Sequence, residues 1–306
     1  MSETRYTGRG TNFYVADGEV AKVVELAIAL RRPLLVEGEP GCGKTKLAYS
    51  IATELNLGEV IRITVKSTSR AQDLLYRVNA LKRLQDAQIP GHPKAQYIYP
   101  YITLGPLGDA FNRRRRCVVL IDEVDKADID FPNDLLDVLE SFSFAVDDLP
   151  AEEEKACAKD NGFGRVVAGD PSAPPIVVIT SNREKRLPEP FLRRCLYVRV
   201  TFPTTEAELE DIVRKNIRIA LPAVNESILK AAIVSFLNIR ALSTAHTQKP
   251  PSTSELIDWV RILHWDGVSP ETLSRSALRP PNWRLLFKTA ADLDAYDAAS
   301  KKRATE

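Results

Sequence analysis

The residues best equipped for chemistry lie in Pro33–Thr45, which reads Pro-Leu-Leu-Val-Glu-Gly-Glu-Pro-Gly-Cys-Gly-Lys-Thr. The pattern G-x-x-x-x-G-K-[ST] sits between a short apolar run and the start of a helical pattern, as a phosphate-binding loop must. Its glycines let backbone amides turn inward as a nest for anionic oxygens, and the helix that follows adds its positive N-terminal end. Lys44 is placed to reach β- and γ-phosphates, and the Thr45 hydroxyl to bind Mg²⁺. The candidate nucleotide-binding set is therefore Gly38, Glu39, Pro40, Gly41, Cys42, Gly43, Lys44, Thr45 and Lys46.

Two further groups suit the same chemistry. Asp122 and Glu123 end a continuous apolar run, Cys117–Ile121. Asp122 suits the outer shell of Mg²⁺. Glu123, one residue on, points elsewhere and suits a general base on an attacking water. Asn182 ends a second apolar run and suits holding that water or a γ-oxygen. The remaining requirement is a positive charge on the γ-phosphate during transfer. Arg193 and Arg194 stand just before a later strand and are the candidates, Arg194 before Arg193. In a ring, that position would face a neighbouring subunit's nucleotide. The plainer reading of both arginines is charge at a helix C-terminus.

These groups need elements to position them. Glu19–Leu30 has Val20, Val23, Val24, Ala27 and Leu30 at helical spacing after Asp17-Gly18. Leu47, Ala48, Ile51, Ala52 and Leu55 form a second helical face, stopped at Asn56–Gly58. Strands are expected in the short apolar run that ends at Gly38 and at Val60–Val65, Cys117–Ile121, Ile176–Ile179 and Leu196–Val200. Apolar strands alternating with helices predict a parallel α/β sheet, with the site at the carboxyl ends of its strands. Ser67–Arg83 reads as one helix, with Leu74, Leu75, Val78 and Leu81 apolar. The proline- and tyrosine-rich piece Pro90–Tyr101 interrupts it, with Tyr97–Ile102 as an exposed hairpin arm. Gly105–Asn112 and Asp134–Ser141 read as helices. Phe142, Phe144 and Val146 alternate, as do Val166 and Ala168, so 142–168 reads as a hairpin whose acidic tip, Asp147–Asn161, is long and mobile. Pro203 marks the boundary of a helical region. Capping boxes begin at Thr205 and Ser252, Asn225 caps Ile228–Leu237, Ser269-Pro270-Glu271 opens a helix, and a last helix runs from about Trp283 to Ala298 before a charged tail.

Composition excludes some classes. With 42 basic and 41 acidic residues the net charge is +1, against a dedicated polyanion binder. The run Arg113–Arg116 reads as cations on a helix C-terminus or as a nucleic-acid or subunit contact. No run of eighteen apolar residues predicts a membrane span, and the first residues carry no signal-peptide core. Cys42, Cys117, Cys157 and Cys195 lack any C-x-x-C spacing and read as reduced thiols of a cytoplasmic protein. Cys42, at a helix N-terminus, reads either as a small loop residue or as a redox-sensitive thiol. Phe13 or Tyr14 is placed to pack near an adenine, or in the core.

The sequence resembles the AAA+ ATPases, and within them the MoxR family. The resemblance rests on Gly38–Thr45, on Val119-Leu120-Ile121-Asp122-Glu123-Val124-Asp125-Lys126-Ala127, on Ile179-Thr180-Ser181-Asn182, and on Leu187-Pro188-Glu189-Pro190-Phe191-Leu192-Arg193-Arg194-Cys195. In family terms these are Walker A, Walker B, sensor 1 and the arginine-finger region. The resemblance implies a P-loop αβα parallel sheet over residues 1–203, with hairpin insertions near 90–102 and 142–168, and an all-α lid over 204–306. It implies ATP and Mg²⁺ as cofactors, a hexameric ring, and remodelling of a protein client, often with a von Willebrand A-domain partner supplied as a separate chain. One departure stands out. The family's sensor 2 arginine at the start of a lid helix has Thr253 or Ser254 in its place, with Lys249 as a substitute.

Four functions compete. The first is an Mg²⁺-dependent ATPase that remodels a partner protein. The second is an ATP-sensing switch of a signalling or defence system, with slow turnover. A nucleic-acid motor is disfavoured by the near-neutral charge and the lack of a basic-aromatic stripe. A small-molecule kinase is disfavoured by Glu123 and the long lid.

Overall fold

The computed structural model describes residues 5–11, 14, 16–217, 225–275 and 278–305. The strands in chain order are β1 (Leu34–Glu37), β2 (Ile61–Thr64), β3 (Tyr76–Val78), β4 (Ile102–Leu104), β5 (Val118–Asp122), β6 (Ser143–Ala145), β7 (Val166–Ala168), β8 (Ile176–Ser181) and β9 (Leu196–Arg199). Five of them form a parallel sheet in the order β2-β5-β8-β1-β9. Every residue of β5 and β8 is buried. Strands covered on both faces read as unbroken apolar runs, which is why these two were visible in the sequence. Each fully buried Val, Leu or Ile contributes about 1.5–3 kcal/mol.

Helices flank the sheet as their periodicity requires. Gly18–Leu30 is capped by the Asp17 carboxylate, which accepts from the backbone N–H of Glu19 and Val20. Lys44–Glu54 buries Leu47, Ala48, Ile51 and Ala52. It ends where Asn56 and Gly58 take positive φ, at 54° and 80°. Arg113, the C-cap of Pro106–Asn112, pairs with Asp109 one turn back, the helix-terminal reading of that basic run.

Two small hairpins interrupt this frame, and both correct the sequence reading. Ser67–Arg83 is not one helix. Ala71–Leu75 is a short helix, β3 follows, and Ala80–Ala87 is a separate helix. The chain turns extended at Tyr76 because its ring is buried, stacked 6.2 Å from Phe144, and its hydroxyl donates to Asp148 at 2.9 Å. β3 pairs antiparallel with β4, so the first insertion spans 76–104. Tyr97–Ile102 is not a hairpin arm. Tyr99–Tyr101 is a 3-10 turn with Tyr101 buried, and Ile102 opens β4.

The second insertion is the hairpin β6–β7. Its acidic tip is ordered rather than mobile. Ala151–Glu153 and Glu154–Asp160 are helical, and Leu149 and Cys157 are fully buried. The acidic residues hold backbone donors of the first insertion. The Glu153 carboxylate accepts the N–H groups of Ile98 and Tyr99 at 2.8 and 2.9 Å, and Asp160 accepts from the Tyr99 hydroxyl at 3.0 Å. Asn161 donates to the Tyr99 carbonyl at 2.7 Å. The two insertions are one packed body.

Chain contacts divide the molecule between Val200 and Thr201, and Glu39–Gly43 and Tyr14 fall with the second unit. That unit is helical. It contains Glu206–Ile217, Glu226–His246, Thr253–Trp265, Pro270–Arg275 and Ala290–Thr305. Thr205–Glu208 and Ser252–Glu255 form capping boxes, and Asn225 caps as expected, though its helix continues well past Leu237. Glu226–His246 is long and apolar enough by composition to cross a membrane. Here its apolar residues serve the helical core, where Ile233, Phe236 and Ile239 pack with Leu209, Trp259 and Leu263. The last helix begins at Ala290, not Trp283. Trp283–Leu286 is a 3-10 turn whose indole packs on Tyr296 at 5.2 Å, and the charged tail through Thr305 is helical.

Candidate active site

Three strands deliver polar groups to the carboxyl edge of the sheet. β1 ends at Glu37 and leads into the phosphate loop. Gly41 and Gly43 take φ of +79° and +99°, a region that glycine enters without strain. The Lys44 side chain is buried and donates to the Gly38 carbonyl at 2.8 Å. Lys46 is exposed on the first turn of the helix, and Glu39 and Pro40 are exposed in the loop.

β5 delivers Asp122, which is buried with both oxygens engaged. Oδ1 accepts from the hydroxyls of Thr45 at 3.1 Å and Thr180 at 2.7 Å, and Oδ2 from Arg62 at 2.6 Å. Thr45 and Asp122, 77 residues apart, are thus in direct contact. Glu123 takes the left-handed conformation, φ 62° and ψ 51°. For a residue with a Cβ this costs on the order of 1–2 kcal/mol. The turn is held by the Glu123 N–H donating to Thr180 Oγ1 at 2.9 Å. It sends the Glu123 carboxylate away from Asp122 to meet two donors, Asn182 Nδ2 at 3.1 Å and Lys126 Nζ. The hydrogen bond that Lys126 donates to Glu123 raises the Lys126 pKa.

β8 delivers Asn182. The backbone N–H groups of Asn182 and Glu184 donate to Asp125 Oδ2 at 3.0 and 2.8 Å, which fixes the turn carrying Asn182. Arg183, also left-handed at φ 64°, is tied to Glu37 at 2.6 Å and to the Tyr197 hydroxyl at 2.7 Å. So Gly38, Lys44, Thr45, Asp122, Glu123 and Asn182 share one edge of the sheet.

Arg193 and Arg194 do not join them. They end the helix Glu189–Arg194, just before β9, and the Leu196 N–H donates to the carbonyl of Pro33, the residue before β1. They therefore lie at the amino edge, a four-residue strand away from the phosphate loop, or roughly 13 Å at ~3.3 Å per residue. Arg32 fixes this edge by donating to the carbonyls of Arg193 and Arg194. The Arg194 guanidinium pairs with Glu140 at 3.0 Å and Arg193 with Glu189. A cleft of about 530 Å³ opens beside them, lined by Leu30, Leu139, Phe142 and Phe191 among others.

In the helical unit, the phosphate-loop segment has its own partners. Arg240 pairs with Glu39 at 2.6 Å, donates to the Pro251 carbonyl and stacks 3.5 Å over the Phe202 ring. Thr253, with Ser254 one of the two residues expected in place of a sensor 2 arginine, donates its hydroxyl to the Gly41 carbonyl at 2.5 Å. Lys249 lies against Asp292. Arg240 is thus a cation of the helical unit that pairs with the loop segment. Tyr14 lies beside Gly43, its ring 3.1 Å from where a Cβ would stand. Phe13 lies outside the described residues. Cys42 is buried, which suits the loop-residue reading.

Sequence reasoning missed Arg62, Asp125, Lys126, Thr180 and Arg240. Asp125, Lys126 and Thr180 lie within the quoted motifs and were within reach of closer reading. Arg62 carried a weaker signal, as a charged residue inside an alternating strand. Arg240 carried none, since its partner is 201 residues away.

The residues present suit ATP and Mg²⁺. No group of three or more His, Cys, Asp or Glu side chains that could hold a metal occurs among the described residues. A metal at Thr45 and Asp122 would complete its shell with water and phosphate oxygens, the usual manner of Mg²⁺ rather than of Zn²⁺ or Ca²⁺. Such an ion, held by Thr45 and Asp122, would supply neutralising charge to the phosphates.

Comparison with known proteins gives the family. No curated protein matches the sequence. Among solved structures the chain is similar to the Holliday junction branch migration motor RuvB of Thermotoga maritima, at 14% identity over 84% of this chain and 71% of that one, with a TM-score of 0.43. The family model for AAA, the ATPase family associated with various cellular activities, matches residues 34–204. Since that span is more than half of the chain and carries the whole five-stranded sheet, this protein belongs to the AAA family of ATPases.

Proposed function

We propose that this ATPase is a MoxR-like remodelling machine whose hydrolytic sites form between neighbouring copies in a ring, the hexamer its family resemblance implies, and whose client is a protein. The observation that carries this reading is the separation of the two halves of the chemistry. Lys44, Thr45, Asp122, Glu123 and Asn182 stand at one edge of the sheet and the candidate finger, Arg194, at the other. A chain arranged this way does not bring Arg194 to its own γ-phosphate. A neighbour's Arg194 meets the need. Within one chain, Lys44 holds phosphate oxygens, Thr45 and Asp122 take the Mg²⁺ side, and Asn182 and Glu123 hold and deprotonate the attacking water.

The packed pair of insertions is the natural client-facing part. Its helix Ala80–Ala87 buries none of its residues, and Leu81 and Leu84 are exposed on it. The test is capture of partners by ATP-loaded Glu123→Gln protein. A von Willebrand A-domain protein retained with ATP and released with ADP supports the MoxR-like reading. Retention independent of nucleotide counts against it.

A specific feature favours the slower switch as a second reading. Both Glu123 oxygens are taken, one by Lys126 and one by Asn182. While both contacts stand, neither Glu123 oxygen is open to the attacking water, so turnover waits on their release. Lys126→Ala then accelerates single-site turnover under the switch reading and leaves it unchanged or slower under the machine reading.

A further inference from the structure

We propose that Arg62 is an internal counter-cation for Asp122 and sets how tightly this site takes Mg²⁺, by holding the carboxylate oxygen that would otherwise draw the metal. The inference rests on Asp122 being the metal-side residue.

Asp122 is buried, with its side chain 5% exposed, whereas that of Arg62 is 48% exposed. A carboxylate taken out of water needs a charge partner or strong hydrogen bonds. It has both. Two neutral hydroxyls, of Thr45 and Thr180, occupy Oδ1, and a cation occupies Oδ2 at 2.6 Å. The guanidinium is not loosely placed. Arg62 lies on β2, whose Thr64 is in register with Asp122 on β5, so the side chain runs along the neighbouring strand to reach the carboxylate. Tyr49, one turn beyond Thr45 on the phosphate-loop helix, also acts on it. Arg62 therefore joins the two elements that carry the metal-side oxygens.

Two consequences follow from charge alone. The carboxylate is already neutralised before any metal arrives, so it attracts a cation less than a bare buried carboxylate does. The guanidinium also repels a divalent ion placed on the Oδ1 side, a few ångströms away and partly shielded from water. Both effects weaken Mg²⁺ binding. Both leave Oδ1, the oxygen shared with Thr45, as the one that faces the ion. Weak intrinsic binding makes occupancy depend on the phosphates that accompany the metal, so the site loads Mg²⁺ as a nucleotide complex rather than as the free ion.

The measurement is Mn²⁺ binding, followed by the loss of its free-ion EPR signal, to the full-length protein saturated with ADP. Arg62→Gln keeps a hydrogen-bond donor and removes the charge, and it is expected to bind Mn²⁺ roughly tenfold more tightly than the parent protein. Arg62→Lys keeps the charge and is expected to stay within about threefold of it. A purely structural role for Arg62 weakens metal binding when lost and does not strengthen it. Equal or weaker binding in Arg62→Gln overturns the inference. Asp122→Asn separates this from the reading beneath it. If that variant binds Mn²⁺ as the parent does, the assignment of Asp122 fails. If it binds more weakly while Arg62→Gln is unchanged, only the role of Arg62 fails.

Discussion

The two edges of the five-stranded sheet are built differently. At the carboxyl edge the polar side chains are bound to one another: Thr45 to Asp122, Asp122 to Thr180 and Arg62, Glu123 to Asn182 and Lys126. Removing one member disturbs the next. At the amino edge, among the described residues, Arg193 pairs with Glu189 one turn back and Arg194 with Glu140 of another helix, carboxylates that are themselves largely exposed. Exposed ion pairs of this kind contribute little, about 0–1 kcal/mol, and exchange partners readily. The carboxyl edge is preorganised for a ligand held within one chain. The amino edge is a pair of cations on loose tethers, suited to a ligand that another chain presents. The proposed trans-acting role of Arg194 rests on this difference.

Substitutions can break this contrast. The largest effect is expected at Arg194. Arg194→Ala should lower the ATP hydrolysis rate by about 10³–10⁵ while nucleotide still binds, because a finger acts in the transition state. Unchanged rates in both the Arg194 and the Arg193 variants would remove the trans-acting cation. Next comes Glu123→Gln, expected to bind ATP and to cleave it about 10²–10⁴ times more slowly in single-turnover assays. Cleavage near the parent rate would take Glu123 out of the base role.

A smaller effect tests the joined insertions. Glu153→Ala leaves the N–H groups of Ile98 and Tyr99 without their acceptor, at a cost of about 1–3 kcal/mol. Amide exchange at those two residues should accelerate accordingly, with the sheet amides unaffected. Exchange that stays slow means the tip does not hold the first insertion.

The smallest effect concerns the thiols. Burial pushes Cys157 up to about 11 and Cys195 up to about 12. Both stay protonated at pH 8 and should resist thiol reagents until the chain unfolds. The shift also gives a sign for stability. The unfolded thiols ionise first as pH rises past their ordinary value near 9.0, so this contribution is present below that pH and is lost as pH climbs toward the folded values. Urea midpoints that rise between pH 9 and 10.5 would run against it.

What the sequence disclosed follows the range of the forces involved. β5 and β8 are legible because burial on both faces writes an unbroken apolar run. The phosphate loop is legible because its glycines and Lys44-Thr45 are local requirements. The break at Tyr76 is not, because Leu74, Leu75, Val78 and Leu81 suit a helix as well as a helix, a strand and a helix in turn. What decides it is Phe144 and Asp148, some seventy residues on. The acidic tip looks like solvent-exposed loop for the same reason, since the backbone donors that its carboxylates serve lie in another segment. Arg240 and Arg62 act on partners that only the fold brings near.

The central claim is that each hydrolytic site draws on two chains, and mixing tests it most directly. Arg194→Ala protein keeps Glu123, and Glu123→Gln protein keeps Arg194, so each alone is inactive. Combined under conditions that allow subunits to exchange, they are expected to regain ATP hydrolysis, with a maximum at intermediate ratios, because some interfaces then pair an intact Glu123 with an intact Arg194. Activity that stays at the level of the separate variants at every ratio, with exchange verified by fluorescence transfer between labelled subunits, contradicts the claim.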